Sequence, residues 1–121
     1  MKLQFVVPGR PVPTARVRVQ NGRAQTPRST VEYQSKVAKA TRTALAAVQG
    51  WNPEGPFKLD VFIFTTRRDC DGSNILKGIE DALVRAGAMR DDNLAVLRGV
   101  RWRASAAHFD EVHITLEVEC S

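Results

Sequence analysis

The sequence predicts a single α+β domain, a small mixed β-sheet of four to five strands packed by two helices. Three observations lead there. The chain has 121 residues, a length that suits one domain spanning residues 1–121. Its apolar residues switch repeatedly between a period of two and a helical period, in the order strand, hairpin, helix, strand, helix, strand, strand. No repeat, low-complexity tract or linker interrupts that order.

Residues 2–7 alternate apolar and polar side chains and read as a first strand, after which Pro8, Pro11 and Pro13 break regular structure. Arg16-Val17-Arg18-Val19-Gln20 alternates again, Asn21-Gly22 is a strong hairpin-turn signal, and Arg23-Ala24-Gln25-Thr26 returns. Ser29-Thr30-Val31-Glu32 has capping-box spacing, so a helix is expected from about Thr30 to Gln49. Tyr33, Val37, Ala40, Ala44, Leu45 and Val48 form its apolar stripe, Lys36, Lys39 and Arg42 lie on other faces, and Gly50 and Pro53 close it. Lys58 to Thr66 is the best central strand, because both its faces turn apolar near its end. A second helix is expected from about Asn74 to Ala86, capped by Asp71 or Ser73 and stopped by Gly87. Strands follow near Ala95–Arg103 and from Glu111 to Glu119, the last with Val112, Ile114, Leu116 and Val118 inward.

A hydrophobic content of 43% excludes a disordered chain. No apolar run is long enough to span a membrane, and the N-terminus is too poor in apolar residues for a signal peptide, so a cytoplasmic protein with no membrane partner is expected. Cys70 and Cys120 match no zinc spacing, and no base stands near Cys70 to make it a nucleophile. His108 and His113 have no metal-ligand spacing either. The net charge of +5 hides an asymmetry. Residues 1–50 hold nine Lys and Arg against one acid, Glu32, whereas residues 51–121 hold nine against twelve. A basic half of this kind suits a polyanion such as nucleic acid. Arg10, Arg16, Arg18, Arg23 and Arg28 are the DNA-backbone candidates within it, and Arg98, Arg101 and Arg103 are candidates for the same surface. Trp102 and Phe109 are expected in core packing rather than in base stacking.

The chemistry concentrates in residues 67–92. Asp69 and Asp71 are one residue apart, which in extended backbone turns both carboxylates to one side. Such a pair repels itself unless a cation lies between, and hard oxygen ligands suit Mg²⁺ or Mn²⁺. Asp91 or Asp92 supplies a third carboxylate if residues 87–93 fold back beside the strand end. Arg67, Arg68 and Lys77 add cations for phosphates, an arrangement that phosphodiester hydrolysis requires. Taken singly, each motif has a plainer reading: Asp71 as a helix cap, and Asp91-Asp92-Asn93 as a turn.

Arg67-Arg68-Asp69-Cys70-Asp71, Asn74, Lys77, Asp81-Ala82-Leu83, Ala86-Gly87 and Asp91-Asp92 together resemble the signature of the RusA-type Holliday junction resolvases. In that family a D-x-D-N-x-x-K helix start is followed by D-A-L, A-G and a D-D pair. The resemblance extends over nearly the whole chain, and residues 67–92 are its specific part. It implies a dimeric, Mg²⁺-dependent endonuclease that resolves four-way junctions in DNA recombination and repair, from a family frequent in phages and prophages. It further implies Asp69, Asp71 and Asp92 as metal-binding catalytic carboxylates. Asp92 is chosen over Asp91 because it lies fifteen residues after Lys77. Lys77 becomes the group at the scissile phosphate, and Arg68 a DNA contact. One departure stands out: Gly72-Ser73 separates Asp71 from Asn74, where the family has Asp followed at once by Asn. Two outcomes are open for these residues: they are absorbed as a bulge or an extra turn, or they weaken metal binding. The competing readings are a non-catalytic branched-DNA-binding module of the same fold and a nuclease for other branched DNA.

Overall fold

The computed structural model describes residues 1–14, 18–20, 23–25, 28–69 and 71–119, and of 18–20 and 23–25 the backbone alone. Arg16, the Asn21-Gly22 turn, Cys70 and Cys120 therefore lie outside the described residues, as do the side chains of Arg18 and Arg23. The elements run β1 (Lys2–Pro8), β2 (Arg18–Gln20), β3 (Arg23–Gln25), α1 (Arg28–Ala46), β4 (Phe57–Thr65), α2 (Gly72–Arg85), β5 (Leu97–Ala106) and β6 (Glu111–Val118). This is the expected α+β domain. Its main sheet has four strands in the order β1-β6-β4-β5, and β2 pairs with β3 in a separate ribbon. The sheet is mixed: β4 runs parallel to β5, while β1–β6 and β4–β6 are antiparallel.

Strand alternation decides which face is covered. Leu3 and Val7, Leu59, Val61 and Ile63, and Val112, Ile114 and Leu116 point to one face and are buried there with Val37 and Ala38 of α1 and Ile75, Ile79, Ala82 and Leu83 of α2. The opposite face carries half-buried Phe62 and Phe64, stacked at 4.3 Å with Arg103 over the Phe62 ring, so β4 is interior in the sheet but covered on one side only.

Several boundaries differ from expectation for local reasons. Helix α1 already includes Ser29, so that residue is no N-cap, and Glu32 pairs with Arg28 at 2.8 Å instead of reaching back to close a capping box. The helix stops at Ala46, where the last amides turn to carbonyls three residues back, Ala47 to Ala44 and Val48 to Leu45, before Gly50 takes a positive φ of 73°. Strand β5 starts at Leu97 because the Asn93 side chain and carbonyl accept from Ala95, Val96 and Leu97, holding residues 93–96 in a turn. Trp102 and Phe109 are 41% and 49% exposed, so neither is the core residue the sequence suggested. Trp102 is on the helix-side row of β5, an edge strand that α2 barely overlaps.

Candidate active site

At one end of the sheet, β4 finishes at Thr65 and the chain turns into α2. Asp71 is the N-cap: its backbone is extended, and its Oδ1 accepts from the Ser73 amide at 3.1 Å, the Ser73 hydroxyl at 2.7 Å and the Asn74 amide at 3.4 Å. Its Oδ2 accepts from Asn74 Nδ2 at 3.2 Å. These donors, the Ser73 hydroxyl foremost, hold the carboxyl below the ordinary carboxylate range. Gly72 and Ser73 are thus not a bulge but an extra turn, the first turn of α2. Gly72 lets the Trp102 ring lie on that turn, where a Cβ would force the ring to shift.

Asp69 precedes this cap, exposed, with Arg67 Nε 3.5 Å from its Oδ1. Arg67 is itself positioned by its amide, which donates to Thr65 Oγ1 at 3.1 Å. Asp110, just before β6, ties this corner together. It accepts from the Thr65 hydroxyl at 2.8 Å and from the Thr66 amide at 2.9 Å, while the Gly9 amide donates to its carbonyl at 3.0 Å. The Thr66 amide is the first cause of the lowered Asp110 pKa, the Thr65 and Thr66 hydroxyls add to it, and the charge of Arg10 contributes last. Arg10 therefore reaches the same end of the sheet as Arg67 and Arg68. Lys36, on the first half of α1, joins them: its Nζ lies against Gly9. No local pattern signals this for Lys36, since only the long-range packing of α1 beside β1 brings it there. Arg28 is exposed at the start of α1 and engaged with Glu32.

Lys77 and Glu80 project from the second and third turns of α2. Glu80 is half-buried and its pKa is raised, first by that burial and then by the charge of Asp92, with Lys77 acting in the opposite direction. The charge of Asp92 thus reaches Glu80, which brings the loop 87–93 within electrostatic range of that face of α2. The loop that carries it is anchored to the start of β4: Arg90 donates from its amide to the Pro53 carbonyl at 2.9 Å and pairs with Glu54 at 2.6 Å. Asp91 organises the turn, accepting from the Asp92 amide at 2.7 Å and from Asn93 Nδ2 at 3.0 Å. Glu80 is the acid that sequence reasoning missed, though its position three residues after Lys77 puts the two on one helical face.

Among the described residues, no three His, Cys, Asp or Glu side chains stand together closely enough to hold a metal ion. Asp69, Asp71 and Asp92 do not form one closed ligand set within a single chain. The exposed oxygens of Asp69 and Asp71 nevertheless fit a hard divalent cation in kind, since Mg²⁺ is usually held by one or two carboxylates and completed by waters and substrate phosphate. Arg10, Lys36, Arg67 and Arg68 stand at the same end of the sheet. Among the described residues no helix is long and apolar enough to cross a membrane.

No curated protein matches the chain significantly in sequence. The family profile described as Endodeoxyribonuclease RusA matches residues 8–118 of the 121, a span that takes in every element from the end of β1 to the end of β6. With the Asp69–Asp71 corner, Lys77 and Asp92 all inside that match, the chain belongs to the endodeoxyribonuclease RusA family.

Proposed function

We propose that this protein is a metal-dependent endonuclease that resolves four-way DNA junctions in recombination and repair. Family membership implies the junction-resolving activity. The observation that supports it most in the molecule is the corner where the Asp71 carboxylate, fixed by Ser73 and Asn74, stands next to Asp69 among Arg10, Arg67 and Arg68.

Asp69 and Asp71 are the proposed ligands for Mg²⁺, with Mn²⁺ as a substitute, and Asp92 is the third carboxylate by the family's spacing. A cation held there supplies positive charge to the phosphate and lowers the pKa of a bound water. Arg67, Arg68 and Arg10 hold the backbone phosphates, joined by Arg16, Arg18 and Arg28 from the basic half. Hydrolysis adds water across the P–O3′ bond: a water oxygen bonds to phosphorus, the 3′ oxygen leaves with a proton, and a 5′-phosphate and 3′-hydroxyl result. Lys77 Nζ is the donor for that leaving oxygen. A junction has near two-fold symmetry, which a C2 homodimer with one site per protomer matches for paired nicks.

One observation favours a second reading. Both oxygens of Asp71 already accept hydrogen bonds as a helix cap, as a non-catalytic junction-binding module would allow. Incubating the protein with a synthetic four-way junction, with and without Mg²⁺, separates the two. Paired, symmetric nicks that vanish in EDTA are expected. Tight binding without a nick in any divalent metal would leave the binding module, and faster cutting of flaps or forks would move the substrate to other branched DNA.

A further inference from the structure

Beside the Asp69–Asp71 corner lies a hollow of about 320 Å³. Its floor includes buried Ile63 and Ile75, its walls are Gly72 on α2 and Ala104 and Ala106 on β5, and Thr65, Ser105, Arg67 and Arg68 complete its lining. It exists for two reasons. The helix-side row of β5 runs out from under α2, so Val100 and Trp102 are 42% and 41% exposed. Beyond Trp102 that row carries only alanines, which leave the space unfilled. The Trp102 ring, seated on Gly72, holds the first turn of α2 against β5.

We infer that this hollow receives one unstacked nucleobase of the strand to be cut. The inference rests on the endonuclease reading and goes beyond it by naming a subsite. A largely apolar slot with two arginines in its lining is complementary to a nucleotide, whose planar base shuns water while its phosphate is anionic. Arg67 already has Asp69 at 3.5 Å, so it is the Arg68 charge that a purely apolar partner would leave unmet. The location gives the base a consequence. Gly72 borders the hollow and follows Asp71 directly, so a base seated there brings its own phosphodiester to Asp69 and Asp71. The hollow then selects which phosphate is cut, and it favours a branch point, where a base is unstacked at least cost.

The test uses four-way junctions carrying 2-aminopurine at successive positions around the crossover, bound by the wild-type protein in EDTA. Fluorescence is expected to rise at one nucleotide adjoining the nick. Ala104→Leu and Ala106→Leu each fill the hollow from an exposed strand position, and unchanged thermal unfolding checks that they fold. Both variants are expected to lose the fluorescence rise and to nick roughly 100-fold more slowly in Mg²⁺, the cost of misplacing the reacting phosphate. They keep junction affinity, which phosphate contacts dominate. The inference is overturned if no position brightens on the bound junction, or if both leucine variants nick at the wild-type rate. It is equally overturned if the variants fail only by losing self-association in sedimentation, since the hollow would then lie between two copies. Brightening without any nicking by the wild-type protein would sink the endonuclease reading and leave the hollow standing.

Discussion

The two ends of the central strand are built in opposite ways. Where β4 begins, the loops 51–56 and 87–93 are closed on each other by packing. Trp51 stacks on Phe57 at 5.3 Å and donates Nε1–H to the Ala88 carbonyl at 2.8 Å, Ala88 and Met89 are buried, and Arg90 is tied to Pro53 and Glu54. Where β4 ends, polar side chains are held by local donors and stay open to water: Asp71 by Ser73 and Asn74, Asp110 by Thr65 and Thr66, with Arg10, Lys36, Arg67 and Arg68 around them. The first end contributes stability, and the second holds charge in place without burying it. That is how a small domain keeps carboxylates ionised and reachable while the fold supports them from beneath.

The sharpest way to break this division is at Asp71. Asparagine is a good N-cap, so Asp71→Asn should leave thermal unfolding nearly unchanged. It removes the charge, however, and junction cleavage should fall by about 10³-fold or more, on the scale of losing one electrostatic transition-state group. Full cleavage by Asp71→Asn would remove Asp71 from the site. Trp51→Ala probes the other end and should do the reverse. It should cost about 2–3 kcal/mol, less than a fully buried Trp because the ring is half-exposed, and lower the melting temperature by roughly 10 °C. Cleavage per folded molecule below the transition should hold; a large loss there would show that the packed end also shapes the site. A smaller effect is expected from the arginines. Arg67→Ala and Arg68→Ala should each flatten the salt dependence of junction binding by about 0.9 in log–log slope, whereas Arg90→Ala at the packed end should leave the slope unchanged. Equal slopes for all three would deny a DNA role to Arg67 and Arg68.

How much of this was legible depended on the range of the interaction. Strand alternation in residues 111–118 and the α2 stripe gave the sheet and its covered face, because each signal lies within one element, whereas residues 57–65 read as apolar on both faces though one stays open. The Asp71 cap was legible for the same reason, its donors being two and three residues away. Trp102 was misplaced because exposure on β5 depends on how far α2 overlaps the edge strand, and Phe109 because it sits between β5 and β6 against Phe64 on the uncovered face of the sheet; no local pattern encodes either. Lys36 against Gly9 and the charge of Asp92 within range of Glu80 were invisible on the same grounds. The second follows from the 87–93 loop packing on 51–56 rather than from any spacing along the chain.

The finest test of the comparison is the pH response, which has opposite signs at the two ends. Asp71 and Asp110 have lowered pKa values, so each contributes stability that is present above the ordinary carboxylate range and lost as pH falls through its folded value. Glu80 has a raised pKa, so the folded state prefers its neutral form, and that preference is lost as pH rises from its unfolded value through its folded one. Burial is the larger cause for Glu80 and the charge of Asp92 the next. Asp92→Asn should therefore lower the Glu80 pKa, yet leave it above the ordinary value because the burial remains. Carboxyl carbon NMR titration of Glu80 in the two proteins reads this directly. An unchanged Glu80 titration would mean that Asp92 stands away from α2 in solution.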